Sequence, residues 1–369
     1  MTDFFQKLLA GKEGPFPVSP FIHVNFVKAF FQSDEVDVVT RTPEVYRHFG
    51  FDLIHRNCTP AYNPVGESFA GWETKNEEVR DDKTALTTLF VKTPGGFLKQ
   101  IHKQNRISVY DYEASPVEYP IKNRSDFELC RRYQPPPSPI DVTPVVRAKE
   151  AAGPAGVIAP WIQGAFNFAA FYFCKLDELL LYAMVDEPFY REMMEYFLER
   201  NIGYIDQILA AGPDLVSYAA NIANAKLVSP KFFRKFVWEY EERLIRHIQG
   251  KGVGALFHNC GYAAGLLSLY AGLGMSGYES LTPPPYGDTV LEEALAVFPE
   301  EVVLSGNLDQ IELLRKGTPG EVEAQTKNLI ETVKKSGRKR FIVAATDYFS
   351  EDTPHENIFA FARAAKSMI

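Results

Sequence analysis

The sequence predicts an α/β fold, and a closed (β/α)8 TIM barrel is the arrangement that the number of its elements favours. From about residue 140 onward, short apolar runs alternate with stretches of helical length. Buried strands that alternate with helices are typical of a parallel sheet. About eight such strands occur along the chain, which is the number that closes a barrel. An open doubly wound sheet is the alternative, but no glycine-rich phosphate loop follows any strand.

The first part of the chain has a less regular pattern than the rest. Its predicted elements are a helix over Asp3–Ala10, a strand over Val18–Asn25, a helix over Thr42–Phe49 and a strand over Asp52–Arg56. Residues 62–112 alternate with period two between turn residues, which favours antiparallel hairpins. We therefore expect one domain over residues 1–369, with 62–112 as a β-rich insertion outside the barrel.

The second part alternates strands and helices. The predicted strands cover 157–161, 215–219, 254–257, 277–280, 302–306 and 341–345. The predicted helices begin at Ser125 and then cover 177–183, 187–211, 230–250, 264–271, 289–298, 308–316, 320–336 and 354–368. Ser125 and Ser229 are expected to cap their helices, and Pro230 suits a first helical position.

Composition excludes several classes of function. The formal net charge of −8 does not suggest a nucleic-acid surface. No apolar run reaches the length of about 18 residues that a membrane span needs, and Met1-Thr2-Asp3 opens no signal peptide. The cysteines, Cys58, Cys130, Cys174 and Cys260, form no CxxC pair. This usage favours a reducing compartment, so we expect a cytoplasmic protein.

One strand end carries the strongest chemical signal. The predicted strand over 254–257 leads directly into His258-Asn259-Cys260. Side chains two apart at a strand end point the same way, and an imidazole and a thiol on one side are good zinc ligands. The alternative is a buried histidine and a buried free cysteine without a metal.

Two carboxylates follow other strand ends. Glu279 and Asp347 join His258 and Cys260 as candidate ligands of a zinc site, which could keep one position open for substrate. The alternatives are a salt bridge for Glu279 and a helix cap or loop hydrogen bond for Asp347.

Further strand-end residues are candidates for binding a substrate. They are His23, Trp161, Gln163, Asn221 and Tyr278. Each has an alternative role in packing, in the core or in a loop. The 28 phenylalanines and 18 tyrosines of the chain would also suit a pocket for a flat or apolar ligand.

Five short stretches resemble one known family. They are Phe257–Gly261, Thr282–Asp288, Ser305–Asp309, Gly317–Pro319 and Asp352–Asn357. In this order and spacing they resemble the uroporphyrinogen decarboxylase superfamily, which also contains cobalamin-dependent methyltransferases. The resemblance covers about residues 155–369 and implies a TIM barrel.

The resemblance is closer to the methyltransferase branch. The decarboxylases carry an arginine-rich N-terminal segment, whereas this chain has scattered Arg41, Arg47 and Arg56 there. The methyltransferases carry a His-x-Cys zinc pair, which matches His258 and Cys260. In the branch that methylates thiols such as coenzyme M, a further cysteine stands where this chain has Asp347.

A carboxylate in that position favours oxygen chemistry at zinc over thiol chemistry. The resemblance therefore implies the methyltransferase component of an O-demethylase, with His258, Cys260 and Asp347 as catalytic residues. Such an enzyme acts on a small methoxylated compound, and an aromatic one is expected. The chain has no Asp-x-His-x-x-Gly segment, so the corrinoid is expected from a separate corrinoid-binding protein. The alternatives are a uroporphyrinogen decarboxylase or a methylcobalamin:thiol methyltransferase, and a homodimer is expected from the same resemblance.

Overall fold

The structure, a computed structural model, describes residue 11 and residues 15–368. The helix predicted over Asp3–Ala10 lies outside these residues. The strands are β1 Ile54–His55, β2 Glu73–Arg80, β3 Thr84–Thr93, β4 Gly96–Arg106, β5 Tyr112–Glu118, β6 Val157–Ile158, β7 Trp161–Gln163, β8 Leu215–Ala219, β9 Gly254–His258, β10 Gly277–Ser280, β11 Val303–Leu308 and β12 Phe341–Ala345.

The helices follow the strands on the same chain. They are α1 Val24–Phe31, α2 Val38–Phe49, α3 Arg124–Tyr133, α4 Thr143–Ala152, α5 Ala165–Tyr172, α6 Leu176–Val185, α7 Glu187–Ala210, α8 Trp238–Gly250, α9 Leu267–Ala271, α10 Leu291–Val297, α11 Pro319–Lys335 and α12 His355–Ser367. Two π-helical segments, Phe233–Val237 and Gln310–Arg315, occur where continuous α-helix was expected.

The main sheet is parallel and contains six strands in the order β7 to β12. Its strands are short and largely buried, as in parallel sheets that helices cover; every residue of β10 and of β12 is buried. A second parallel ladder pairs β1 with β6. The α/β class and the parallel sheet are therefore confirmed.

The predicted closed barrel of eight strands is not formed as one continuous ladder. Single backbone hydrogen bonds link this ladder to the main sheet on either side: Asp214 N, just before β8, donates to Ile158 O at 3.0 Å, and Asp52 N, just before β1, donates at 2.9 Å to the oxygen of Val18, which bridges to β12. The strand predicted over Val18–Asn25 is also wrong. Val18 forms one isolated bridge with Val343, and α1 begins at Val24, because an extended segment with a single partner builds no ladder.

A separate antiparallel sheet contains β2, β3, β4 and β5 in that order. One of its faces packs on the rest of the chain through Leu89, Val91 and Leu98, and the other is exposed. The period-two pattern predicted these hairpins, although they run to Glu118 rather than to residue 112. That the sheet is an insertion in a single domain stays a prediction.

Two details of the helices differ from expectation. Asn123 rather than Ser125 caps α3, since its side chain accepts from Asp126 N at 3.0 Å. The pattern also failed to predict α4 and α5. The α5 sequence AFNFAAFY is apolar on nearly all sides, so it has no amphipathic period to detect. In the described part of the chain, no helix is both long enough and apolar enough to cross a membrane.

Candidate metal centre

Three of the four predicted metal ligands meet at the carboxyl ends of two strands. His258 is the last residue of β9, Cys260 follows it by two residues, and Asp347 lies two residues beyond β12. One possible ligand atom from each of these residues lies within 4.8 Å of the other two. His258 is buried, whereas Cys260 and Asp347 are half-buried, so the group can be reached from the end of the sheet.

Glu279, the fourth predicted ligand, lies on another side of the histidine. It pairs with His258 in the parallel ladder between β9 and β10, and its Oε1 is 2.9 Å from His258 Nδ1. With Nδ1 engaged, Nε2 remains as the ring nitrogen for a metal, which is the usual arrangement of a metal-binding histidine and its carboxylate partner. The structure thus places Glu279 beside the group of three rather than within it.

Arg56, immediately after β1, holds the same carboxylate. Its Nη1 donates to Glu279 Oε1 at 2.7 Å, and its Nη2 donates to Oε2 at 2.6 Å. Both side chains are almost fully buried. Burial alone raises the pKa of Glu279, but the Arg56 charge and the His258 hydrogen bond lower it to about 2. Glu279 is therefore an ionised bridge between a fixed cation and the imidazole.

The electrostatics of His258 follow from these neighbours. Burial lowers the pKa of His258, but Cys260 and Glu279 together raise it well above its ordinary value. A small cavity of about 10 Å³ lies at this point, enough for one water-sized occupant. Its lining includes Ser19, Arg56, His258, Glu279, Thr346 and Asp347.

Aromatic rings form one side of the site. The Trp161 ring meets His258 edge-on at 5.2 Å between centroids, and Phe21 lies 5.3 Å from Trp161. Tyr348, next to Asp347, lies 4.8 Å from the His23 ring and 5.7 Å from that of Phe21. Two predicted substrate-binding residues, Trp161 and His23, therefore belong to one aromatic wall beside the candidate ligands.

The comparison with protein families matches this region and most of the chain. The family described as Uroporphyrinogen decarboxylase (URO-D) matches residues 117–368. The chain belongs to the uroporphyrinogen decarboxylase family. The resemblance inferred from the five short stretches is confirmed.

The relatives of this decarboxylase-family chain include both branches. It is 22% identical to the Methylcobamide:CoM methyltransferase MtbA of Methanosarcina acetivorans over 139 residues, which are 38% of this chain and 39% of the relative. The matched part thus spans about two fifths of that relative. Against the uroporphyrinogen decarboxylase of Prochlorococcus marinus, identity is 23% over 258 residues, or 68% of this chain and 70% of the relative.

A solved structure shares the fold of this chain. A methyltransferase from Methanosarcina mazei superimposes with a TM-score of 0.67 and covers 98% of this chain and 97% of its own. The sequence identity is 15%, so this similarity shows the fold alone.

Two more predicted substrate-binding residues of the decarboxylase-family chain share an amide network. Asn167, on α5, donates through Nδ2 to Asn221 Oδ1 at 2.9 Å and to Gln163 Oε1 at 3.5 Å. Asn167 Oδ1 accepts from Ile222 N at 3.1 Å. The network ties the loop after β7 to the loop after β8, so Gln163 and Asn221 lie together.

Tyr278 does not join the other predicted site residues of this family member. It is fully buried and stacks on Phe298 at 4.8 Å and on Phe257 at 6.0 Å. Because neighbours on a strand face opposite sides, Glu279 points to the site while Tyr278 points into the core.

The residue patterns of the decarboxylase-family chain did not predict Arg56 or Phe21 as site residues. The sequence marked Arg56 only as one of three scattered arginines, although it is the last residue of a predicted strand and the candidate ligands also lie at or near strand ends. Its position at a strand end was the signal that could have identified it as a site residue. Phe21 carried no such signal, because it lies in the middle of the predicted strand Val18–Asn25 rather than at its end.

Proposed function

We propose that this chain removes a methyl group from a methoxylated aromatic compound and transfers it to the reduced corrinoid of a separate protein. The observation that carries this proposal is the group of His258, Cys260 and Asp347, with ligand atoms within 4.8 Å of one another beside an aromatic wall. The relatives named as methylcobamide:CoM methyltransferases support the corrinoid as reaction partner.

The ligand set fits zinc by its chemistry. Imidazole nitrogen, thiolate sulfur and carboxylate oxygen are the three donors that zinc accepts, and catalytic zinc sites use three protein ligands. His258, Cys260 and Asp347 would hold the ion, since their ligand atoms already lie within 4.8 Å of one another. When bound, zinc supplies Lewis acidity, which stabilises negative charge that develops on a leaving oxygen.

Arg56 and Glu279 fix the geometry of this group. Glu279 accepts from His258 Nδ1 and is itself held through both oxygens by Arg56. The imidazole is therefore kept in one orientation and one tautomer, with Nε2 directed away from Glu279. In this proposal Glu279 orients a ligand and is not one.

The aromatic wall would bind the ring of the substrate. Trp161, Phe21 and Tyr348 offer ring faces and edges beside the candidate ligands. In the reaction the bond between the methyl carbon and the ether oxygen breaks, and its electron pair stays on the oxygen. Tyr348 carries a hydroxyl at Oη that can donate a hydrogen bond to that oxygen, whereas the hydroxyl of Tyr218 is engaged by buried Glu241.

The test is a reconstitution with a reduced corrinoid protein and a methoxyarene. We expect zinc to copurify with the protein, and His258→Ala to lose both zinc and demethylation. As a control, Asn224→Ala, in a half-buried loop position after β8, should keep zinc. Zinc content that is unchanged by His258→Ala would contradict the proposal.

Methyl transfer to a thiol is the second candidate. The relatives favour it, because they include a methylated-thiol–coenzyme M methyltransferase that is 27% identical over 168 residues. Asp347 argues against it, since it supplies oxygen where a thiolate would make the site softer. Faster methylation of a free thiol than demethylation of any methoxyarene would favour this second function.

A further inference from the structure

The turn between β4 and β5 is fixed to the loop that carries the candidate ligand Asp347. Glu351, four residues after Asp347, accepts from Ser108 Oγ at 2.8 Å, from Val109 N at 3.1 Å and from Tyr110 N at 2.9 Å. These contacts join residues more than 240 positions apart in the chain. One carboxylate thus holds a whole turn of the antiparallel sheet against the end of the parallel sheet.

The turn is also braced from its own side. Arg106 donates from Nε to Ser108 O at 3.1 Å and from Nη2 to Val109 O at 2.9 Å. Ile107 N donates to Asp111 O at 2.9 Å, which closes the turn. Asp111 closes this turn and is therefore held together with it.

Asp111 lies on the turn that Glu351 fixes to the loop of Asp347 and Tyr348, so it stands on the side of the aromatic wall formed by Tyr348 and His23. Its charge acts on His23 and on Tyr348, the two rings that contact each other at 4.8 Å. Asp347 acts on the same two rings. Two carboxylates therefore flank this end of the wall. The cation at the site, Arg56, is bound through both terminal nitrogens by Glu279.

We propose that Glu351 is a positioning residue that holds the turn 107–111 as one wall of the candidate site, and that Asp111 on this turn makes the site select neutral over anionic substrates. A methoxylated ring with a carboxylate would place its charge beside Asp111, whereas the charge of Asp347 would be offset by the zinc ion that it holds in the proposed site. Like charges at such separations repel even at the effective dielectric of a partly buried site. This inference rests on the proposed function, because it names the class of methoxylated ring that the site accepts.

Two ligands, one variant and one control variant test the proposed selectivity. The ligands are a neutral methoxyphenol and the same ring carrying a carboxylate. Affinity for each is measured by calorimetry on the zinc-loaded protein, and turnover is measured with the corrinoid partner. We expect Asp111→Asn to reduce the preference for the neutral ring about ten-fold, mainly by lowering KM for the anionic one. Asp82→Asn, on the neighbouring turn between β2 and β3, is the matched control and should leave the preference unchanged.

The positioning role has a readout that does not depend on activity. Glu351→Ala should accelerate hydrogen exchange at the amides of Val109 and Tyr110 and reduce the preference as Asp111→Asn does. Glu351→Gln keeps one acceptor oxygen and should restore part of the protection. Asp352→Asn removes only an exposed pair with Arg315 and should do neither.

The outcomes separate this inference from the proposed function. Turnover with a preference that Asp111→Asn does not change overturns the inference and leaves the function standing. Selective binding of the neutral ring without turnover overturns the function and supports the inference. Exchange at Val109 and Tyr110 that is the same in Glu351→Ala as in the parent overturns the positioning role. Binding of neither ring overturns both proposals.

Discussion

The parallel strand ends and the antiparallel sheet contribute to the same site in different ways. At the strand ends, His258 and Glu279 are buried and each has a fixed buried partner. In the antiparallel sheet, β2 has no buried residue, and Val79 and Phe97 are more than 70% exposed. The first region holds reacting groups rigidly through packing. The antiparallel sheet approaches the site through the turn 107–111, which the Glu351 carboxylate holds, so residues elsewhere in this sheet can vary without disturbing the candidate ligands.

The largest expected effect is a difference in unfolding free energy between two phenylalanine-to-alanine variants, one in each region. Phe257, on β9, is buried among Tyr218, Tyr270 and Tyr278, so Phe257→Ala should cost about 3–5 kcal/mol of unfolding free energy. Phe97→Ala, on β4, should change it by less than about 0.5 kcal/mol, because Phe97 is mostly exposed. Urea unfolding of both variants measures the difference. Equal costs would remove the contrast between the regions.

The buried ion pair supplies the next test. Arg56→Met leaves the Glu279 carboxylate buried without its cation, and we expect a loss of about 3 kcal/mol in stability. Arg56→Met combined with Glu279→Gln removes the uncompensated charge and should recover much of that loss. The midpoint of urea unfolding reports both variants. A double variant as unstable as the single one would show that the charge is not the cause.

The variant Asp347→Ala tests the proposed catalytic role of the strand-end residues. Asp347→Ala should reduce demethylation about ten- to a thousand-fold, which corresponds to about 1–4 kcal/mol in the transition state. Stability should change little, because Asp347 is half-buried in a loop. Single-turnover rates with a reduced corrinoid protein give the effect. Near-normal turnover would exclude Asp347 from the site.

The smallest expected effect is a change in the pH dependence of stability. Burial lowers the pKa of His55 below its ordinary value of 6.5, against a weaker opposing effect of its hydrogen bond to Val39 O. Below that value the unfolded chain binds a proton that folded His55 resists. The contribution is therefore complete above 6.5 and is lost as pH falls toward the folded pKa.

His55→Gln removes this contribution. We expect its stability to fall less than that of the parent between about pH 7.5 and pH 5.5, by roughly 1 kcal/mol. Thermal unfolding at both pH values is the measurement. His23, His102 and His355 also have lowered pKa values and remain, so the variant keeps part of the slope. An identical slope in both proteins would contradict the assignment.

The parts of the fold that could be predicted are those in which one interaction decides the structure. The bounds of β8, β10 and β12 matched the predicted 215–219, 277–280 and 341–345, and in β12 burial on both faces leaves a continuous apolar run. The segment from Val18 has the same apolar character, but strand pairing depends on distant partners that its own residues do not encode.

The same reasoning explains the candidate site. His258, Cys260 and Asp347 could be predicted as neighbours because carboxyl ends of parallel strands meet at one edge. For Glu279 the sequence left a metal ligand and a salt bridge as alternatives, because the choice depends on Arg56, which is 223 positions away in sequence. The contact of Glu351 with the turn of the antiparallel sheet depends on tertiary packing in the same way.

The hydrogen-bonded side chains of Arg56, Glu279 and His258 have a consequence for the order of folding and metal binding. Its charges are neutralised by each other within the protein, so the strand ends reach their final arrangement by folding alone. In small zinc domains, by contrast, metal affinity is itself the driving force for folding. For the proposed zinc site, a chelator should therefore extract the ion and leave a folded protein, and the rate of reloading should be set by access past the half-buried Cys260 and Asp347 rather than by refolding.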